Sequence, residues 1–159
     1  MDPYLIIFII TLLPWIELRG AVPIGILVFG LDPVLVFIIS LLGNIAVIFP
    51  IYFGLESGYS FIRRFDLVRN MIERAREKGK RLDGRNGFIG LALFVAIPLP
   101  VTGAWTGTLI AWVLHLDRKR AFLAIAAGVT LAAILVTALS LIAGEVIFNW
   151  LRVSRSAPI

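Results

Sequence analysis

The fold of this chain is decided by the stretch Trp15-Ile16-Glu17-Leu18-Arg19-Gly20-Ala21-Val22-Pro23, which lies inside an apolar run from Tyr4 to Leu31. It places a carboxylate and a guanidinium two residues apart in an otherwise apolar segment. Because proline removes a backbone donor and glycine weakens a helix, Pro14, Gly20 and Pro23 predict a broken helix here. In a membrane, a broken segment must be covered by protein or line a polar cavity, so its charged residues form a candidate functional site.

The composition indicates a membrane protein. Of the 159 residues, 60% are hydrophobic and 16% are charged, and the mean hydropathy is +0.98. A water-soluble domain is about half apolar and about a quarter charged. Long apolar runs cross lipid as helices, and no alternating barrel pattern occurs, so we predict an all-α integral membrane protein.

The same composition argues against several other classes of protein. The absence of cysteine excludes disulfides and thiolate chemistry. With one histidine and scattered acidic residues, the sequence offers no metal cluster and no nucleophile–base pair, so we expect no enzyme, catalytic residue, metal or cofactor. The net charge of +5 does not indicate nucleic acid, because most of the Lys and Arg residues fall in one loop, as the positive-inside rule expects.

Apolar runs of two lengths follow one another along the chain. A helix needs about 20 residues to cross a membrane, and Val34–Phe53 and Ala121–Phe148 are long enough. The runs that are too short are Tyr4–Pro14, Ile24–Leu31, Phe88–Ile97 and Thr106–Leu116. Before the first long run, Asp32 and Pro33 have the pattern of an N-cap followed by a proline at the first helical position.

Residues 56–87 form the hydrophilic part of the chain. The basic residues there are Arg63, Arg64, Arg69, Arg74, Arg76, Lys78, Lys80, Arg81 and Arg85. Apolar side chains repeat at helical spacing through the first half of this segment and predict an amphipathic helix. These side chains are Phe61, Phe65, Val68, Ile72 and Ala75. We expect the basic helix to lie on lipid headgroups, and the alternative is a solvated connector.

The two halves of the chain share one organisation, in which a broken pair of short apolar runs is followed by an aspartate turn and a long helix. The landmarks that match in spacing are Pro14 with Pro98, Gly20 with Gly103, Asp32 with Asp117, and Gly43 with Gly128. Sequence identity between the halves is low, so the repeat rests on this pattern. We divide the single membrane domain 1–159 into a first repeat (1–55), a connector (56–87), a second repeat (88–150) and a tail (151–159).

The distribution of charge predicts the orientation. The connector and Arg118-Lys119-Arg120 are both basic and should both be cytoplasmic, which requires that 88–116 dips into the membrane and returns. Each arm of about 10–13 residues reaches roughly 15–20 Å, enough for the middle of a hydrocarbon core about 30 Å thick. By symmetry, 4–31 dips in from the outside. We therefore predict an inverted repeat of re-entrant helical hairpins in the cell (plasma) membrane, with both termini outside.

Small residues mark a contact face on the last long helix. Ala124, Gly128 and Ala132 have the four-residue spacing that lets helix backbones approach closely in lipid. Two long helices and two hairpins hardly enclose a cavity. We therefore expect a homodimer or higher homo-oligomer that uses this face.

Two motifs resemble those of a known family. Glu17-Leu18-Arg19-Gly20-Ala21-Val22-Pro23 and, in the second break, Pro98-Leu99-Pro100-Val101-Thr102-Gly103-Ala104-Trp105 resemble the small multidrug export family, which looks related to the DedA superfamily of membrane transporters. The resemblance covers nearly the whole chain and implies paired re-entrant hairpins and a transport role. Its DedA side implies movement of polyprenyl-phosphate or other phospholipids across the bilayer, coupled to protons.

The first break holds the residues with the most chemistry. Arg19 is always protonated and its fork of donors suits a phosphate or carboxylate, so we predict that Arg19, with Gly20 beside it, binds substrate. Glu17 is the predicted proton-coupling residue. The alternative is a buried ion pair that holds the shape of the hairpin. Two residues apart on a helix the pair would not meet, but in an unwound segment they could.

The second break adds Thr102, Gly103 and Trp105 to the predicted substrate site. Backbone donors at the N-terminus of a broken half-helix can receive an anion. For Thr102 and Gly103 the alternative is ordinary turn chemistry. Asn44, near the middle of the first long helix, either lines the same cavity or hydrogen-bonds a neighbouring helix.

Two functions of different classes compete. The leading one is a small secondary transporter or lipid translocase that moves an anionic amphiphile, with membrane lipids and protons as its partners. The alternative is a non-transporting oligomeric membrane scaffold that organises lipids. Arg19 favours an anionic headgroup over a cationic drug, whereas Glu17 alone favours the drug. Substrate-dependent proton flux in proteoliposomes separates the two functions, because a scaffold shows none.

Overall fold

Helices make up the regular structure of the chain. The computed structural model describes residues 1–62, 66–79, 85–99 and 102–156, and these ranges contain no strand. The all-α class is therefore confirmed for the described part of the chain. In that part, Pro33–Tyr59 and Arg118–Trp150 are long and apolar enough to cross a membrane. They contain the predicted long helices Val34–Phe53 and Ala121–Phe148.

The first half begins with a broken pair of helices. Helix α1 (Pro3–Leu12) and helix α2 (Glu17–Pro23) are separated by a bend, and a π-helical turn (Ile24–Val28) follows α2. The break is shorter than the expected one, because Gly20 and Pro23 lie inside α2 and not in an unwound stretch. Pro23 lacks the N–H that would bond the carbonyl four residues earlier, and the backbone widens into the π-helical turn directly after it.

The first long helix is nearly continuous. Helix α3 (Pro33–Ala46) starts as predicted, because the Asp32 carboxylate accepts a hydrogen bond from the backbone N–H of Leu35 at 2.9 Å and proline occupies the first turn. Helix α4 (Ile48–Ile62) follows after Val47 alone. Pro50 lies in the first turn of α4, where its missing N–H interrupts the helical hydrogen bonds one turn earlier and accounts for this break.

The second half repeats this order of elements. Helix α5 (Asp66–Gly79) precedes helix α6 (Arg85–Ala96), helix α7 (Ala104–Val113) and the long helix α8 (Arg118–Ser156). The Asp117 carboxylate accepts from the backbone N–H of Arg120 at 3.0 Å and caps the start of α8. The second break thus falls between α6 and α7, and its Pro100 and Val101 lie outside the described residues.

The predicted amphipathic helix coincides with α5 in part. Its apolar side chain Ile72 is buried, with 7% of its surface exposed, and α5 packs against α7. The helix is therefore attached to the protein on one side. The predicted stripe residues Phe61, Phe65 and Val68 lie outside the side chains that the structure describes.

Contacts between helices follow a paired pattern. Helix α1 packs on α3, and α6 packs on α8. The second helix of each broken pair crosses to the other half, so that α2 packs on α8 and α7 packs on α4. Gly43 faces Thr11 and Phe8 on α1, whereas Gly128 faces Ala92 and Val95 on α6. The matched glycines thus lie at equivalent helix contacts.

The small-residue face of α8 is occupied within the chain. Ala124 and Ala132 have no exposed surface, and Gly128 leaves no room for a side chain beside the Ala92 carbonyl oxygen. The expectation that this face serves a second copy of the protein is therefore wrong: its partner is α6 of the same chain. The homo-oligomer itself stays a prediction, without an assigned face.

Candidate functional site

The predicted pair of charges forms an ion pair at the start of α2. Nη1 of Arg19 lies 2.8 Å from Oε2 of Glu17, and the two side chains are 11% and 5% exposed. Glu17 has a φ of 51°, outside the helical region, so the spacing rule for regular helices does not apply to this pair. The two residues thus meet within α2 and not in an unwound segment, through the unusual φ of Glu17.

Glu17 holds the N-terminus of α7. Its Oε1 accepts a hydrogen bond from the backbone N–H of Trp105 at 3.2 Å. The first N–H groups of any helix lack partners within the helix, and a negative charge is favourable at that end. Gly103 makes this contact possible, because a Cβ at that position would overlap the Glu17 carboxylate.

Arg19 holds the C-terminus of α6. Its Nη2 donates to the carbonyl oxygens of Val95 at 2.8 Å, Ile97 at 3.2 Å and Thr102 at 3.3 Å. The last carbonyls of a helix lack partners within it, and a cation is favourable at that end. The two charges of the first break therefore complement the two helix ends exposed by the second break.

A side chain of the second break, between α6 and α7, also contacts the first break, between α1 and α2. The indole N–H of Trp105 donates to the carbonyl oxygen of Leu12, the last residue of α1, at 3.2 Å. The Thr102 hydroxyl lies 2.7 Å from the Ile97 carbonyl oxygen and 3.5 Å from Nη2 of Arg19, so it orders the turn beside the guanidinium. The residues Glu17, Arg19, Thr102, Gly103 and Trp105 are called the bracing cluster below.

The structure brings together five of the seven predicted site residues. Gly20 lies in α2 against the Ile16 side chain and makes no contact with the second break among the described hydrogen bonds. Asn44 is buried between α1 and α3, where its Nδ2 donates to the Thr11 carbonyl oxygen at 3.3 Å. Asn44 therefore makes the hydrogen bond to a neighbouring helix that was the alternative for this residue. Whether any of the seven binds substrate stays a prediction.

The backbone carbonyls that accept from Arg19 were not predicted from the sequence. Val95 and Ile97 are apolar residues and carry no sign of a polar role in their side chains. Their carbonyls are available because α6 ends just before Pro98, which cannot continue the hydrogen bonds of the helix. Pro98 therefore indicated in the sequence that these carbonyls lack helical partners. Which cation contacts them depends on the tertiary structure.

The described residues place no group of three or more His, Asp or Glu side chains together in an arrangement suited to a metal ion. The site is built from one ion pair, two helix ends and an indole. Such a set can exchange a proton or bind an anion.

Buried ionisable residues between broken helices, beside helices of membrane length, define this chain as an all-α membrane protein. A sequence model of the family described as "Putative small multi-drug export protein" matches residues 17–135, which is well over half of the chain. The chain therefore belongs to this family, whose name is that of an exporter and not of an enzyme. The match starts at Glu17 and includes the whole bracing cluster.

A search of curated proteins and of solved structures finds no match to this chain. The family match does not extend to the DedA superfamily, so that relationship stays a prediction.

Proposed function

We propose that this protein is a small secondary transporter of the cell membrane that moves an anionic amphiphile and is coupled to protons. The observation that carries the proposal is the bracing cluster, in which a nearly buried ion pair joins two broken pairs of helices. Ionisable residues inside membrane proteins commonly mark substrate or proton pathways. A polyprenyl phosphate or a phospholipid suits Arg19, whose planar donor fork matches phosphate oxygens.

The proposal includes an inverted repeat, whose re-entrant hairpins would be α1–α2 and α6–α7. The support lies in the paired contacts, since α1 packs on α3 as α6 packs on α8, and each second helix crosses to the other half. Transporters with inverted repeats bind substrate near the middle of the membrane, where broken helices meet. In this arrangement the connector 56–87 is cytoplasmic and both termini lie outside.

Charge balance at Arg19 provides the coupling step. In the observed state, Nη1 of Arg19 is held by the Glu17 carboxylate. A proton on Glu17 would remove the negative charge and leave Arg19 with backbone carbonyls alone. Because an uncompensated charge is costly at that depth, Arg19 would then take a phosphate oxygen of the substrate in place of the carboxylate. Loss of the proton would restore the ion pair and expel the anion.

The same exchange would loosen the two hairpins from each other. An ionised carboxylate accepts a stronger hydrogen bond than a neutral carboxyl group, so protonation weakens the hold of Glu17 on the N–H of Trp105. The observed contacts then represent a locked state. Protonation would give an unlocked state, in which one hairpin can move against the other.

The test is transport by the purified protein in proteoliposomes, with a fluorescent alkyl phosphate as substrate and an imposed pH gradient. Glu17→Gln mimics a permanently protonated carboxyl group, so this variant should fold and its transport should no longer respond to the gradient. Arg19→Gln should abolish transport. Arg19→Lys should retain only part of it, because an ammonium group keeps the charge but lacks the fork of donors.

Thermal melting in detergent controls for folding in each variant, since removal of one partner from a buried ion pair costs about 3–5 kcal/mol. The double variant Glu17→Gln with Arg19→Gln is the matched control, because it strands neither charge. Normal transport by well-folded Arg19→Gln protein would contradict the proposal. A wild-type protein without substrate-dependent proton flux would favour the non-transporting scaffold instead.

A further inference from the structure

A cavity of about 870 Å³ opens at the far end of α7 from the bracing cluster. It lies between α4, α5 and the turn that joins α7 to α8, and its lining includes the basic residues Arg76, Arg118 and Lys119. Three separate segments of sequence contribute to it. The polar side chains that line it include Tyr52, Tyr59, Arg76, His115 and Lys119.

Arg76 is held in this cavity by aromatic rings. Its Nη1 donates to the Tyr59 hydroxyl at 3.0 Å, and its guanidinium carbon lies 4.7 Å from the Tyr59 ring centroid and 5.6 Å from that of Trp112. These contacts fix the guanidinium without neutralising it. Its Nε is buried and has no hydrogen-bond partner, and within the described residues no carboxylate pairs with it.

The charges around the cavity leave a positive excess. Arg118 is paired with Glu56, and the Asp117 carboxylate accepts from the backbone N–H of Arg120. Lys119, at the exposed mouth, has no ion-pair partner in the described part of the chain. The lining thus holds three cations and two carboxylates, and within the described residues neither Arg76 nor Lys119 forms an ion pair with a carboxylate.

Tyr52 marks the place of a missing hydrogen-bond partner. Its hydroxyl oxygen is buried and unpartnered, although buried polar groups are almost always hydrogen-bonded. The same side chain lines both the polar cavity and a neighbouring apolar groove of about 540 Å³. The Tyr52 side chain thus lies between the polar cavity and the apolar groove.

The groove runs between α4 and α8 from the mouth of the cavity. Its apolar lining is made by Ile48, Phe49, Phe122 and Leu123. Lys119 lines both this groove and the polar cavity. The rings of Phe49 and Phe122 pack against each other, with centroids 5.3 Å apart. A basic, aromatic cavity joined to an apolar groove has the polarity of a molecule with an anionic head and a hydrocarbon tail.

His115 lines the cavity at the C-terminal end of α7. It has a φ of 56°, a conformation that glycine adopts without strain and that residues with a side chain adopt at some cost. The residue ends α7 in a Schellman motif, where the N–H of Leu116 bonds the Ala111 carbonyl at 3.0 Å and the N–H of His115 bonds that of Trp112 at 3.1 Å. This motif requires a left-handed residue at the position of His115 and therefore accounts for its conformation.

From these contacts we infer that the cavity and groove form a binding site for an anionic amphiphile, with the phosphate or carboxylate head between Arg76, Lys119 and Tyr52 and the tail between Phe49 and Phe122. The inference rests on the proposed function for the role of this molecule as cargo. The site lies at the other end of α7 from Arg19, a separation of about 15 Å along the helix axis, so it is distinct from the bracing cluster.

Binding of dodecyl phosphate to the purified protein in maltoside detergent tests the inference, with the dissociation constant as the readout. We expect saturable binding that Arg76→Gln and Lys119→Gln each weaken about 10-fold or more, because each removes a charge-assisted contact. Arg74→Gln is the matched control, since Arg74 is exposed on the same helix and does not line the cavity. That variant should bind as wild type does.

Tyr52→Phe provides a second test of the binding site in case Arg76→Gln or Lys119→Gln folds poorly. It removes a hydroxyl that has no partner in the protein, so the melting temperature should not fall, while dodecyl phosphate should bind about 3- to 10-fold more weakly. Unchanged binding by Tyr52→Phe and by folded Arg76→Gln would overturn the inference.

Two further ligands separate the possible sources of the anion. Equal binding of inorganic phosphate would identify a site for a free anion and overturn the amphiphile. Equal binding of dodecyltrimethylammonium would identify unspecific partition and also overturn the inference. Because no gradient is used, binding without transport would contradict only the proposed function, and transport without binding at this cavity would contradict only this inference.

Discussion

At the scale of single residues, the site depends on an unusual backbone conformation. Glu17 and His115 are the described non-glycine residues with positive φ, at 51° and 56°. Such a conformation costs about 1–3 kcal/mol and persists where surrounding contacts hold it. At Glu17 those contacts are the ion pair with Arg19 and the N-terminus of α7. The strain is thus located at the residue that joins the two breaks.

Gly103 provides a stability test of the bracing cluster that leaves both charges in place. Gly103→Ala would drive a Cβ into the Glu17 carboxylate, so the carboxylate must leave the N-terminus of α7. We expect a loss of about 1–3 kcal/mol of unfolding free energy, as is usual for overpacking, measured by thermal melting in detergent.

The matched control is Gly90→Ala, on the neighbouring helix α6. A Cβ at Gly90 meets nothing within 4 Å, and alanine is the better helix former by about 1 kcal/mol, so this variant should be as stable as wild type or more stable. A Gly103→Ala protein that melts together with Gly90→Ala would mean that the Glu17 carboxylate does not occupy the end of α7.

At the scale of secondary-structure elements, α8 packs closely against α6 at Gly128. A Cβ at Gly128 would lie 2.5 Å from the Ala92 carbonyl oxygen and 2.7 Å from Cβ of Val95. Neither atom belongs to the flexible end of a side chain, so the two helices would have to separate. Small residues at such contacts let helices approach closely where the lipid supplies no hydrophobic drive.

Gly128→Leu should therefore lower the melting temperature of the protein in detergent through lost packing between α6 and α8, at a cost of about 1–3 kcal/mol or more. Gly54→Leu in α4 is the comparison, since a Cβ at Gly54 meets nothing within 4 Å. If Gly128→Leu changed only the oligomeric state in size-exclusion chromatography and left the melting temperature unaltered, the face would belong to a dimer after all.

At the scale of the whole molecule, the exposed surface of the described helices is largely apolar. Large hydrophobic side chains on α8 are half or more exposed, among them Leu139, Ile142 and Val146. In water such a surface would drive aggregation, whereas lipid covers it without cost. The surface therefore agrees with membrane residence.

Cysteine labelling tests the predicted orientation in the membrane directly, because the chain contains no cysteine of its own. Single cysteines at positions 32 and 156 should react with an impermeant reagent from outside, and those at positions 80 and 119 only from the cytoplasm, as the distribution of basic residues predicts. Labelling of positions 80 and 119 from opposite sides of the membrane would show that 88–116 crosses it, and re-entrant hairpins would be excluded.

Local chemistry made several features predictable from the sequence alone. The apolar runs predicted the membrane class and the two long helices, and Asp32 with Pro33 predicted the start of α3. The first break was predicted at the right place but too long, because glycine and proline lower helix propensity without forbidding a helix that tertiary contacts support. These features depend on residues that are close together in the sequence, so the sequence alone is enough to predict them.

The amino-acid sequence by itself thus determined an all-α membrane chain, its interrupted helices and the presence of a buried pair of opposite charges. Only the tertiary structure decided what that pair touches, because the partners of Arg19 and Glu17 are mainly backbone groups, and every residue type carries the same backbone. It also turned the small-residue face of α8 toward α6 and assembled Tyr52, Arg76 and Trp112 around one cavity. Such contacts join residues far apart in the chain, and no local periodicity encodes which of them meet.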